Sequence, residues 1–408
     1  TLDLNFAATK TLDRRITFTR DSVGTYVGED GLVKYASNNV PRFDHDPATG
    51  ESLGLLIEES RTNLFSNSNP WSGGTGVTWI SGQTSPTGGT EAYKMQEDTS
   101  TDIHGINIHS GGYTANYNVT FSVFAKAAGN RYLSFWGGPL GTYPGVDSPE
   151  CIFDLQDGVV AQNTDNGGAG LFTNGSGASI QDFGNGWYRC SVHVNPSLLA
   201  NRTIHLLMGN SSSNDSMSFT GNGSNGILLF GLQREAGAFA TSYIPTYGST
   251  VTRGQDSAKI TGTNLTDFYN QPEGTIFADY KVIQSDPDIF YLSNGQSSRR
   301  IGLYEAGSSQ TRFLIGNSGT VADTTDSSGT TVGDNIKSAG AYKLNDIVAA
   351  KNGVISSTDS SATIPDGIDR AYIGGYYEGT AEGVLGLRRL SYYNKRLPNA
   401  QLQGLTQQ

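Results

Sequence analysis

Five histidines, two cysteines and 38 acidic residues are the side chains of widest chemistry in this 408-residue sequence. His104 and His109 lie five apart in DIHGINIH, so on a strand, where side chains alternate, they are expected to face opposite sides and share no metal. His193 and His205 fall in strand-like runs and read as packed or surface imidazoles. Asp44-His45-Asp46 has the residue types of a metal site, but Pro47 and Gly50 follow, and in a tight turn aspartate hydrogen-bonds its own backbone. No GxSxG, HExxH, Walker or CxxC pattern is present, which leaves the common nucleophile, metalloprotease, phosphate and redox readings without support. Cys151 and Cys190 stand in ECIFDL and WYRCSVHV; a bond across one sandwich and two buried free thiols are both open readings. No cofactor is expected. Asp286-Pro287-Asp288 and Asp366-Gly367-Ile368-Asp369 are loops in which structural calcium stays unassigned.

Binding chemistry has better support. A sugar offers an apolar ring face and a rim of hydroxyls, so a site for it needs flat aromatic rings with Asn, Asp or Gly beside them. Trp136-Gly137-Gly138 with Tyr143-Pro144-Gly145, and Gly375-Tyr376-Tyr377-Glu378, have that makeup, which makes Trp136, Tyr143, Tyr376 and Tyr377 the glycan-binding candidates. The competing reading is that these rings cap the core. Trp187 in GNGWYRC is assigned to the core. Arg388, Arg389, Lys395 and Arg396 read as a solvated strand face with acidic neighbours from the same chain.

The elements that must position these residues are strands. With 53 Gly, 20 Tyr and 17 Phe, and with Ser, Thr and Asn between short apolar runs, the composition is that of turn-rich β structure. In VTFSVFAKA, Phe121, Val123 and Ala125 alternate with Thr120, Ser122 and Phe124, as in a half-buried antiparallel strand. Asn352-Gly353 between IVAAK and VISS is a hairpin signal, and Pro398 opens a short helix carrying Leu402 and Leu405. The expected fold is all-β: tandem antiparallel β-sandwiches of jelly-roll type over residues 66–245 and 246–408, preceded by an extended, hairpin-rich arm over 1–65. Ile227 to Gln233 closes the first sandwich, and 237–252 leads to the second. The formal charge of −11 disfavours nucleic acid and anionic membrane as partners. No run approaches a membrane span, and TLDLNFAATKTLDRR carries no secretory pattern.

Three stretches together carry a resemblance. ITFTRDSVGTYVGEDG with PRFDHDPATGESLGLLIEESRTNL resembles the amino-terminal arm of tailed-phage virion fibre proteins. LFGLQREAGAFATSYIPTYGSTVTRGQDSAKITG with FYNQPEGTIFADY resembles their domain junction. GLRRLSYYNKRLPNAQLQ resembles the last strand and helix of their laminin-G-like domain. The resemblance implies a carbohydrate-binding-module-like jelly roll followed by a laminin-G-like one, displayed on a virion surface. It further implies attachment to capsid or tail through the arm, host or environmental glycans as partners, and a homo-oligomer, with a trimer favoured. It carries over no catalytic residue, and no enzyme is expected. A purely structural assembly role and a glycan depolymerase stay open as alternatives.

Overall fold

The computed structural model describes residues 1–112, 117–139, 150–164, 171–172, 177–212, 218–283, 287–306, 310–317, 320–325, 329, 331–376 and 384–407. Two antiparallel sandwiches account for most of it, as the composition predicts. In the first, one six-stranded sheet runs Val159–Thr164, Glu150–Asp154, Tyr132–Pro139, Arg202–Gly209, Thr101–Ser110, Ser218–Thr220. The other runs Ala178–Asp182, Trp187–Val194, Val119–Ala128, Gly226–Ala236, Ala92–Glu97, Val77–Gln83. Between them Phe121, Val123 and Ala125 meet Leu133, Phe135, Phe153, Leu206 and Met208. Cys151 and Cys190 are both buried there and not joined in a disulfide.

The second sandwich pairs an eight-stranded with a seven-stranded sheet around Ile276, Tyr280, Phe290, Leu303, Phe313 and Leu390. Asn352 and Gly353 take φ of 46° and 83°, the positive values that a tight hairpin turn needs, and Lys351 pairs with Val354 across it. The helix Asn399–Thr406 follows Pro398 and buries Leu402 against Phe277, Val348 and Ala350.

The first 65 residues differ from the expected extended arm. Leu2–Asn5 pairs with Ser391 and its neighbours on the strand Val384–Tyr393, and Ser52–Glu58 pairs with the other half of the same strand edge. Thr17–Thr19 extends the opposite sheet through Ser257–Thr261. These strands close the second sandwich because Leu2, Leu4, Leu55 and Ile57 are apolar and face its core. Gly54 permits the crossing: its φ is 78°, and a Cβ there would stand 2.0 Å from the Leu387 carbonyl oxygen. The hairpin Gly24–Val27 with Val33–Ala36 lies instead over the first sandwich, where Val27 and Val33 cover Phe124, Trp187, Phe230 and Tyr243. The strand Val119–Ala128 is therefore buried on both faces, not one, and Trp187 is buried beneath the hairpin rather than between the sheets.

Where the three segments meet, charges replace hydrocarbon. Asp256 accepts from Arg20 Nη1 at 3.0 Å and from Arg42 Nη2 at 2.5 Å, while Glu58 accepts from Arg42 Nη1 at 2.6 Å and from the Ser242 hydroxyl at 2.6 Å. Arg253 Nε stands 3.4 Å from Glu58, and all five charged groups are buried. Burial alone would raise the Glu58 carboxyl, but Arg253, Arg42 and Ser242 outweigh it and hold it at about 2. Asn63 completes the joint: its amide nitrogen donates to Ile244 O at 2.9 Å, and its oxygen accepts from the Phe65 and Arg234 amides at 3.1 Å each.

Candidate binding groove

Residues directly opposite in neighbouring antiparallel strands share a sheet face. Glu150 opposes Trp136, Trp136 opposes His205, and His205 opposes Asn107, so these four form a row across the outer face of the first sheet. Burial falls along the row, since Glu150 and Trp136 are 0% exposed, His205 is half-buried and Asn107 is exposed. The open end meets a groove of about 530 Å³ at the sheet edge, whose walls include Phe65, Ile103, Ile106, Leu232, Ser72 and Thr75.

The far rim of the groove is the turn that carries Ser72, Gly74 and Thr75. Thr75 and Gly105 exchange backbone hydrogen bonds of 2.9 and 3.0 Å, which lays this turn beside the strand Thr101–Ser110. Trp71 and Trp79 stack at 5.4 Å with 23° between their planes, and Trp79 Nε1 donates to Gly73 O at 2.7 Å. Gly105 admits the neighbouring strand, because a Cβ on it would lie 2.2 Å from Leu206 O.

The chemistry of the groove is uncharged. His205 is the one titratable side chain among its described lining residues, and burial pushes its imidazole down to about 4, so it is neutral at physiological pH. Trp136 meets it edge-on at 5.4 Å, and Asn107 Nδ2 lies 3.4 Å from His205 Nε2. Behind them burial raises the Glu150 carboxyl to about 7, only partly countered by the hydroxyl of Ser134, which donates to Oε1. A neutral imidazole and an amide each supply a donor and an acceptor, and aliphatic and aromatic walls supply dispersion contact. Such a lining suits an uncharged ligand that is both apolar and rich in hydroxyls. A hydrolytic carboxylate pair is absent from the described lining.

The sequence-predicted residues are distributed differently. Trp136 is corrected: the strand alternation does bring it to this face, but it is fully buried and offers no ring face to a ligand, acting instead as the backing of His205. Tyr376 is half-buried, with its hydroxyl accepting from Arg300 Nη1 at 2.7 Å and its ring edge-on to Tyr291 at 5.3 Å. Tyr143 and Tyr377 lie outside the described residues. His104 and His109 share a face after all, because a bulge between Asn107 and His109 resets the alternation and pairs them with Met208 and Ile204. They still do not converge: His109 Nε2 is 3.1 Å from Leu199 O, whereas His104 packs on Phe219.

The acidic motifs are occupied by the chain itself. Asp46 accepts from the Ala48 and Thr49 amides, the turn chemistry expected there. Asp366 pairs with Arg299 and Asp369 with Arg370. Asp286 is outside the described residues, and no grouping of three metal-ligating side chains occurs among the described ones. Arg388, Arg389 and Arg396 pair with Asp279, Asp3 and Asp346, the acidic neighbours expected from the same chain, but the face is not solvated throughout, since the Arg388 and Arg396 side chains are only 13% and 11% exposed. The residues that sequence reasoning passed over are Asn107, Trp71, Trp79 and the groove role of His205. The signal available for them was Trp71-Ser72-Gly73-Gly74, an aromatic before a glycine turn.

No protein-family model and no curated protein sequence matches this chain. Among solved structures, the CBM40 carbohydrate-binding module of the Ruminococcus gnavus IT-sialidase aligns at 18% identity over 34% of this chain and 84% of its own, with a TM-score of 0.30. A leech intramolecular trans-sialidase aligns at 16% identity over 37% of this chain and 26% of its own, with a TM-score of 0.31. A SAP-like pentraxin from Limulus polyphemus aligns at 13% identity over 32% of this chain and 68% of its own, with a TM-score of 0.26.

Proposed function

We propose that this protein is a displayed adhesin that holds uncharged glycan segments in the edge groove of its first sandwich. The observation that carries this reading is the groove lining: neutral His205 and exposed Asn107 against apolar walls, without a fixed charge, in a chain of net charge −11. The three stretches that resemble tailed-phage fibre proteins support a setting on a virion surface, as a homo-oligomer. Repeated copies on a particle would make weak single-site binding sufficient, because avidity rises by orders of magnitude with linked sites. The protein has no catalytic part in this reading. Attachment to capsid or tail would use the outward surface of residues 1–65, where Val23, Tyr35 and Val40 are exposed, since the strands themselves are committed to the sheets.

A glycan array probed with the full chain, multimerised on streptavidin, tests the reading. Neutral oligosaccharides should give signal that Asn107→Ala and His205→Ala each reduce at least fivefold with the melting temperature preserved. An array blank for every neutral glycan would overturn it.

A further inference from the structure

A second opening lies on the amino-terminal segment, far in sequence from the groove. It has a volume of about 620 Å³, and its lining includes Lys10, Tyr26, Glu29, Asp30, Lys34, Phe43 and His45. Tyr26 and Phe43 are half-buried, so each ring is anchored while part of it stays accessible. The consecutive acids of one turn take different lysines: Glu29 pairs with Lys10 at 2.8 Å and Asp30 with Lys34 at 2.6 Å. These four charged groups therefore cancel, yet present carboxylate acceptors and ammonium donors side by side. Lys10 is held with a left-handed backbone, φ 50°, which is uncommon for a residue other than glycine or asparagine. His45 Nδ1 is committed to the Val27 carbonyl at 3.1 Å, which fixes its tautomer and leaves Nε2 as an acceptor, buried and without a hydrogen-bond partner.

We infer that this opening is a separate binding site for a neutral pyranose unit, recognised through a pair of adjacent hydroxyls. Each hydroxyl of a vicinal diol donates and accepts at once. A carboxylate takes the two hydrogens and an ammonium donates to the two oxygens, as charge-assisted bonds stronger than neutral ones. Zero net charge on the rim disfavours an anionic ligand, whose attraction to each lysine is offset by repulsion from the adjoining acid. Tyr26 and Phe43 supply the apolar surface for the C–H face of the ring. The inference stands on this pocket alone and does not depend on the groove of the first sandwich.

Saturation-transfer-difference NMR of the full chain tests it, with the methyl α-glycosides of glucose, galactose, mannose and N-acetylglucosamine as probes. At least one should show transfer to its ring protons. The transfer should persist in Asn107→Ala, which disables the groove of the first sandwich, and in that background fall at least fivefold when Glu29→Gln and Asp30→Asn are added, both sites being exposed. Transfer from none of the four, or transfer indifferent to the two added substitutions, overturns the inference. Transfer lost in Asn107→Ala alone also overturns it, while supporting the groove.

Discussion

Three ionisable residues are held away from their ordinary behaviour by burial and neighbours, and each sets a measurable dependence on pH. His205 is pushed down to about 4 by desolvation, so glycan binding in the groove should be flat from pH 8 to about 5.5 and weaken as the imidazole charges near pH 4, readable by titration across that range. Glu150 is raised by burial from 4.5 to about 7, so the folded state binds more protons than the unfolded one between those values. Stability from this group therefore falls as pH rises through that window, by about 3 kcal/mol, and Glu150→Gln should flatten the fall in denaturant unfolding at pH 5 and 8.5. Glu58 has the opposite sign, since Arg253 and Arg42 overcome its desolvation and hold it at about 2. Its contribution is complete above 4.5 and disappears as pH drops toward 2, again by about 3 kcal/mol. The Glu150 window lies between 4.5 and about 7 and the Glu58 window between about 2 and 4.5, so one pH series separates them.

At the scale of elements, the close crossing of Ser52–Glu58 over the last strand rests on Gly54. Gly54→Ala places a methyl against the Leu387 carbonyl oxygen in a left-handed conformation, and should lower stability by about 1–3 kcal/mol, measured by thermal melting. Elements of local origin were legible in the sequence. Asn352-Gly353 dictates its own turn, Pro398 starts its own helix, and the alternation of Phe121, Val123 and Ala125 marks the inner face of its strand. What long-range pairing decides was not legible. Nothing in Leu2–Asn5 signals that its partner lies beyond residue 388, and nothing around Phe124 signals that a hairpin from residues 24–36 will cover it. Trp136 shows the same limit, since strand period assigns its face but not the cover over that face. The bulge after Asn107, which carries His109 to the same side as His104, has no glycine or proline to announce it.

For the whole molecule, the buried joint of Arg20, Arg42, Arg253, Glu58 and Asp256 ties the amino-terminal segment to the start of the second sandwich, and Ser242, whose amide and hydroxyl both donate to Glu58, brings the end of the first sandwich to the same joint. Removing one partner leaves the others charged and desolvated, which is far costlier than losing an exposed pair. Asp256→Ala should cost about 3–5 kcal/mol and split a single calorimetric transition into two, as the sandwiches cease to unfold together. The same joint means that the amino-terminal strands are part of the folded body, so deletion of residues 1–65 should yield an unfolded second sandwich rather than a detached adhesin, seen as lost near-ultraviolet dichroism. Rigid connection of this kind fixes the direction in which the groove points from whatever carries the protein. The most direct test of the central claim is calorimetric titration of the full chain with the strongest neutral oligosaccharide from the array, beside His205→Ala and Asn107→Ala at pH 7. The unaltered protein should bind saturably and both variants at least tenfold more weakly at unchanged melting temperature; equal affinity in all three would rule out the groove as the glycan site.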